Sequence, residues 1–164
     1  MKNLFLVAVF ASVSFAVNAQ IKNANLQASG LTCSMCSNSI FKSLKKIAFV
    51  ESVESDVENS SFQITFKTNE NVDLDALQKA VSDAGFSVAK LTFVLNTNQL
   101  KVEDNAVVEI DGKSFYFINT KGKTLNGDVE LKLLDKAFIS PKEYKKVKDK
   151  LHTDSGKRVF NVSI

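Results

Sequence analysis

Residues 22–95 switch between two hydrophobic periods in a fixed order, and that order limits what the chain can build more than any other feature. Residues 22–29 put Ala24, Leu26 and Ala28 on one side, the period of a half-buried strand. A loop opening at Gly30 follows, and Ile40, Phe41, Leu44, Ile47 and Ala48 then fall at helical spacing, which predicts a helix over 38–49. Val50, Val53 and Val57 predict a second strand with one irregularity, Asn59-Ser60 a turn, and Phe62, Ile64 and Phe66 a third strand. Asp73 is placed to cap a second helix carrying Leu74, Leu77, Ala80 and Val81, and Gly85 is placed to end it. Residues 86–95 return to a strand pattern. The order is βαββαβ. It predicts an α+β, ferredoxin-like unit in which a four-stranded antiparallel sheet carries two helices on one face.

The loop between the first strand and first helix holds the only two cysteines, Cys33 and Cys36. The spacing sets one thiol on the loop and the other in the first turn of the helix, where the positive end of the helix dipole favours thiolate. Two thiolates converging from so short a loop suit a soft metal in near-linear coordination or a redox disulfide, and the spacing alone does not choose between them.

The motifs around this loop resemble those of the heavy-metal-associated domain family. The family signature, a strand followed by Gly-Met-Thr-Cys-x-x-Cys and a helix, is met by Gly30-Leu31-Thr32-Cys33-Ser34-Met35-Cys36, and its glycine-aromatic turn after the second helix by Ala84-Gly85-Phe86. The likeness spans residues 22–91. It implies that Cys33 and Cys36 bind a soft ion, chiefly Cu(I), with Hg(II), Zn(II) and Cd(II) handled by relatives, and that a cysteine-containing donor or acceptor protein exchanges the ion. Leu31 replaces the family methionine, whose side chain points inward to support the loop, so an apolar residue of similar size fits there. Phe86 resembles the domains of copper-pumping ATPases more than free chaperones, and its plainest role is packing under the loop.

Met1-Lys2-Asn3 carries a positive charge, residues 4–17 are almost wholly apolar, and Val17-Asn18-Ala19 presents small residues where a signal peptidase reads. The run is too short and too interrupted for a membrane span. It predicts an export signal over residues 1–19, a mature chain from Gln20 in the periplasm or secreted, and no stable membrane insertion after cleavage. In an oxidising compartment a passive disulfide is the plain alternative for the cysteines, although a bridge closing so small a loop restrains little unfolded chain.

Charge and composition divide the chain beyond Ala19. Acids slightly outnumber lysines from Gln20 to Leu100, whereas basic residues outnumber acids from Lys101 onward, where the only proline, histidine and arginine also lie. The polar run Asn96-Thr97-Asn98-Gln99 reads as a short linker, which predicts domains over 20–97 and 98–164. In the second, residues 106–110, 114–118, 129–134 and 158–164 look like strands. Asp111-Gly112 and Asn126-Gly127 read as hairpin turns, and Pro141 starts a helix over 141–150. Several short strands with one helix suggest a small β-rich unit like an oligonucleotide- or oligosaccharide-binding barrel.

No catalytic constellation emerges. The lysine-rich run 142–150 reads as a solvated helix face, Phe115 and Phe117 as core, and an exported protein seldom meets nucleic acid, so no nucleic-acid partner is expected. His152 reads as a surface histidine, and Met35 as a solvent-facing side chain beside the thiols. The expected function is non-enzymatic capture and handover, or sequestration, of Cu(I). A thiol-disulfide oxidoreductase, or an interaction module with a passive disulfide, are the alternatives.

Overall fold

The computed structural model describes residues 19–31, 34–153 and 156–164. Nearly all of the expected export signal, and Cys33 itself, lie outside the described residues.

The first half runs β1 (Gln20–Ser29), α1 (Ser34–Lys45), β2 (Val50–Asp56), β3 (Ser61–Phe66), α2 (Leu74–Asp83) and β4 (Ser87–Lys101). These four strands lie in the order β2-β3-β1-β4, each antiparallel to its neighbours. The register explains the core. Leu26 sits opposite Phe62 and Leu91, and Ala24 opposite Ile64 and Phe93, so one face is apolar and essentially sealed. Ile40 and Leu44 of α1 and Leu74, Leu77 and Val81 of α2 cover it. Each such side chain contributes about 1.5–3 kcal/mol by leaving water.

Local chemistry sets the helix ends. The Asp73 carboxylate accepts from the Asp75 amide at 2.9 Å and caps α2. At the other end Gly85 (φ +89°) donates to the Ser82 carbonyl and Phe86 to the Val81 carbonyl, a Schellman stop that needs the left-handed conformation glycine tolerates. Helix α1 begins four residues earlier than the apolar spacing predicts, directly behind Cys33, and ends at Lys45. Ile47 and Ala48 fall in a turn that lets Phe49 pack on Phe66, their ring centroids 5.8 Å apart.

The second half contributes β5 (Ala106–Ile110), β6 (Lys113–Phe117), β7 (Thr124–Leu133), α3 (Pro141–Val147) with a short 3₁₀ turn behind it, and β8 (Val159–Ser163). Where sequence suggests a separate small barrel, these strands extend the sheet of the first half into eight strands ordered β2-β3-β1-β4-β7-β8-β6-β5. The cause is β4. It runs unbroken through the polar segment expected to be a linker, and β7 pairs with its residues 92–101. Asn96 stays polar because it lies on the uncovered face, where it donates to Asp128 beside Lys22. Asn126-Gly127 is likewise no hairpin. It lies inside β7 opposite a bulge in β4, where the Asn126 side chain accepts from the Gln99 amide. Asp111-Gly112 does make the expected two-residue hairpin, with both φ values positive.

The extended sheet curls strongly. The Phe93 and Phe115 ring centroids are 5.8 Å apart although β7 and β8 lie between their strands, a span of roughly 14 Å in a flat sheet. Phe115, Phe117 and Val162 are fully buried in the same apolar cluster as the first half.

Candidate metal centre

The cysteine loop lies at one end of the first half, and three neighbouring turns fix its frame. Ser29, the last residue of β1, faces Ser87 with their hydroxyls 2.6 Å apart, so the loop leaves the sheet beside the start of β4. Gly30 takes φ +83° to turn the chain, and Leu31 packs against the core, as an inward support would. The β2–β3 turn is tied alongside, with the Ala28 amide donating to Ser60 and the Gln27 side chain to Asn59. Asn59 in turn donates from its side chain and backbone to Asp56, which holds that carboxyl below its ordinary value. The third neighbour is the Gly85-Phe86 turn, where Phe86 is half-buried against the core.

Cys36 occupies the first turn of α1, half-buried, with no acidic residue in that turn. Cys33, two residues beyond Leu31, lies outside the described residues. Met35 is 79% exposed, its thioether turned to solvent, while Ser37 is buried and Ile40 anchors the helix behind the thiol.

Among the described residues no three His, Cys, Asp or Glu side chains gather into a group that could hold a metal. His152 stacks on Tyr116 at 5.1 Å, and its amide donates to Asn161. Lys142, Lys145, Lys146, Lys148 and Lys150 are exposed on or just beyond α3, a helix with no buried residue. Among the described residues no helix is long and apolar enough to cross a membrane.

One junction escaped sequence reasoning. Arg158, the only arginine, makes two 2.9 Å bonds to the Asp75 carboxylate at the start of α2, lies 3.5 Å from Asp135, and stacks over the Phe160 ring at 4.0 Å. Burial pushes the Asp135 carboxyl up, opposed by a hydrogen bond from Asn161 and the charge of Arg158. Lys113 reaches Asn71 close by. The one available signal was a lone arginine two residues before a phenylalanine in a strand pattern. All these contacts lie at the end of α2 away from the cysteine loop.

Residues 25–87 match the heavy-metal-associated domain. The mercuric transport protein periplasmic component of an Alcaligenes species is 30% identical over 86 residues, which cover 52% of this chain and 93% of that protein. The chain belongs to the heavy-metal-associated domain family. A second relative, a probable copper-transporting ATPase of Arabidopsis thaliana, is 29% identical over 91 residues, covering 56% of this chain but only 9% of that much longer protein. Among solved structures, oxidized MerP from Ralstonia metallidurans is 30% identical and covers 42% of this chain and 97% of its own, with a TM-score of 0.38. The family match ends at residue 87, the first residue of β4, so the strand that joins the halves begins where it stops.

Proposed function

We propose that this chain is an exported, non-enzymatic carrier that holds Cu(I) between Cys33 and Cys36 and passes it to a partner with cysteines of its own. The observation that carries the reading is the placement of Cys36 in the first turn of α1 of a heavy-metal-associated domain, at the end of the sheet opposite the Arg158–Asp75 pair. Two thiolates suit a soft monovalent ion in near-linear coordination. A low coordination number leaves the ion open to a third thiolate, so an incoming cysteine forms a three-coordinate intermediate before one of the first pair lets go. The relatives support both the cargo class and the compartment, since one is named for periplasmic mercuric transport and the other for copper transport. Hg(II), Zn(II) and Cd(II) are the competing ions.

Anaerobic titration of the reduced mature protein with Cu(I), Hg(II) and Zn(II) against a competing chelator tests the proposal. A tight one-to-one Cu(I) complex is expected. Catalysed turnover of a disulfide substrate, lost on Cys33→Ser and indifferent to copper chelators, would replace this reading with a thiol-disulfide oxidoreductase.

A further inference from the structure

We propose that Gln20 is a modification site, where the mature terminus closes on itself to a pyroglutamyl ring. The inference rests on the proposed export of the chain, and in particular on cleavage between Ala19 and Gln20. Cleavage frees the Gln20 α-amine, and that nitrogen attacks its own side-chain Cδ. A carbon–nitrogen bond forms, the Cδ–Nε2 bond breaks, and ammonia leaves with a proton taken from the amine. No oxidant or second substrate is consumed. The terminus changes from a base that titrates near about 7.7–8.0 to a neutral lactam.

The fold leaves this step free to happen. Gln20 opens β1 opposite Asn96, and Ile21 behind it is 2% exposed, so the strand is anchored from its second residue. The Gln20 side chain itself is half-buried, makes no hydrogen bond among the described residues, and faces a cavity of about 410 Å³.

The charges around the cavity do little to keep the amine protonated and unreactive. Of its two carboxylates, Asp111 already faces Lys113 at 3.8 Å, and Glu70 is exposed. Lys22 and Asn96 occupy the nearby Asp128. One exposed carboxylate shifts an amine's protonation only slightly. The amide side chains of Asn69, Asn71 and Asn96 on the same wall can donate to the lactam carbonyl or accept from its N–H.

The test uses protein exported by cells making the whole precursor. The expected product has the mass of residues 20–164 less one ammonia and resists stepwise N-terminal degradation. After treatment with a pyroglutamyl aminopeptidase it reads Ile21-Lys22-Asn23. The Gln20→Ala variant should be readable without treatment. A product starting at Gln20 with a free amine and full mass overturns the proposal while leaving the cleavage site standing. A product that starts elsewhere, or keeps residues 1–19, overturns both.

Discussion

The two ends of α2 are finished in opposite ways. At its start, Asp75 is gripped by Arg158 from the second half, and Asn71, just before the helix, by Lys113. At its finish, the backbone closes on itself through Gly85 and Phe86, and among the described residues no hydrogen bond or ion pair reaches it from the second half. The pairing of β4 follows the same division. Its residues 92–101 are covered by β7, while 87–91, next to the cysteine loop, are paired only on the β1 side. The difference shows where added mass can be tolerated. The proposed handover needs room for another protein at the thiols, and among the described residues the hydrogen bonds and ion pairs of the second half fall on the sheet edge and on the far end of α2.

The largest expected effect falls at the clear end. Replacing Cys33 and Cys36 together by serine should abolish stoichiometric Cu(I) binding yet leave the circular dichroism spectrum unchanged, because Cys36 is only half-buried and neither cysteine belongs to the apolar pattern of the sequence. Loss of the folded spectrum in the metal-free variant would show instead that the thiols hold the fold together.

Next comes the joint between halves. Phe93→Ala removes a ring that touches Phe115 across the curl and should cost about 3–5 kcal/mol. Because the apolar cluster is continuous, thermal melting should shift as one transition. Two separate transitions, only one of them shifted, would break the comparison by showing that the halves fold independently.

A smaller effect is expected at the braced end of α2. Arg158→Ala should cost about 1 kcal/mol, since the guanidinium is partly exposed and its ion pairs are screened while its stacking on Phe160 is lost. Arg158→Lys should recover only part of this, because lysine cannot make the paired bonds to Asp75. Cu(I) affinity should not move in either variant. A change in affinity would mean that the bracing reaches the loop along α2.

The smallest effect is a pH dependence with two signs. Hydrogen bonds from Lys22 and Asn96 hold the Asp128 carboxyl below its ordinary value, so its contribution is complete above the ordinary carboxylate pKa and fades as pH falls through the lowered one. Burial raises Asp135, so its ionisation works against the fold as pH rises through the raised value. Asp128→Asn should therefore flatten the acid side of a Tm-against-pH curve, and an unaltered acid side would remove Asp128 from the account.

Much of the first half was legible because its determinants are local. Asp73 caps, Gly85 stops, and Phe62, Ile64 and Phe66 alternate within a few residues of one another. The start of α1 was misplaced because Ser34, Met35 and Cys36 carry no apolar stripe, although this early start is what sets Cys36 inside the helix. In the second half the strands themselves were readable and their company was not. Polarity at Asn96 and Asn98 looked like a linker, yet a strand with one uncovered face is polar at every other residue, and the buried Thr97 and Leu100 mark its other side. Asn126-Gly127 reads locally as a hairpin turn, yet the β4 strand sets Asn98 and Gln99 against Asn126 in a bulge, and only that partner strand reveals it. Arg158 could not be paired in advance, because Asp75 is 83 residues away along the chain.

The position of β8 carries a consequence for time. Last of the strands in chain order, it lies in the interior of the sheet, antiparallel to β7 and parallel to β6. Until residues 159–163 arrive, β5 and β6 have no route into the sheet, and Phe115 lacks the Phe160 ring that stacks on it. Such long-range pairing closes slowly, because the chain must be brought together before any contact rewards it. The second half therefore completes its sheet only after its final strand has been delivered, whereas the β2-β3-β1-β4 part draws on strands that are all present by residue 101.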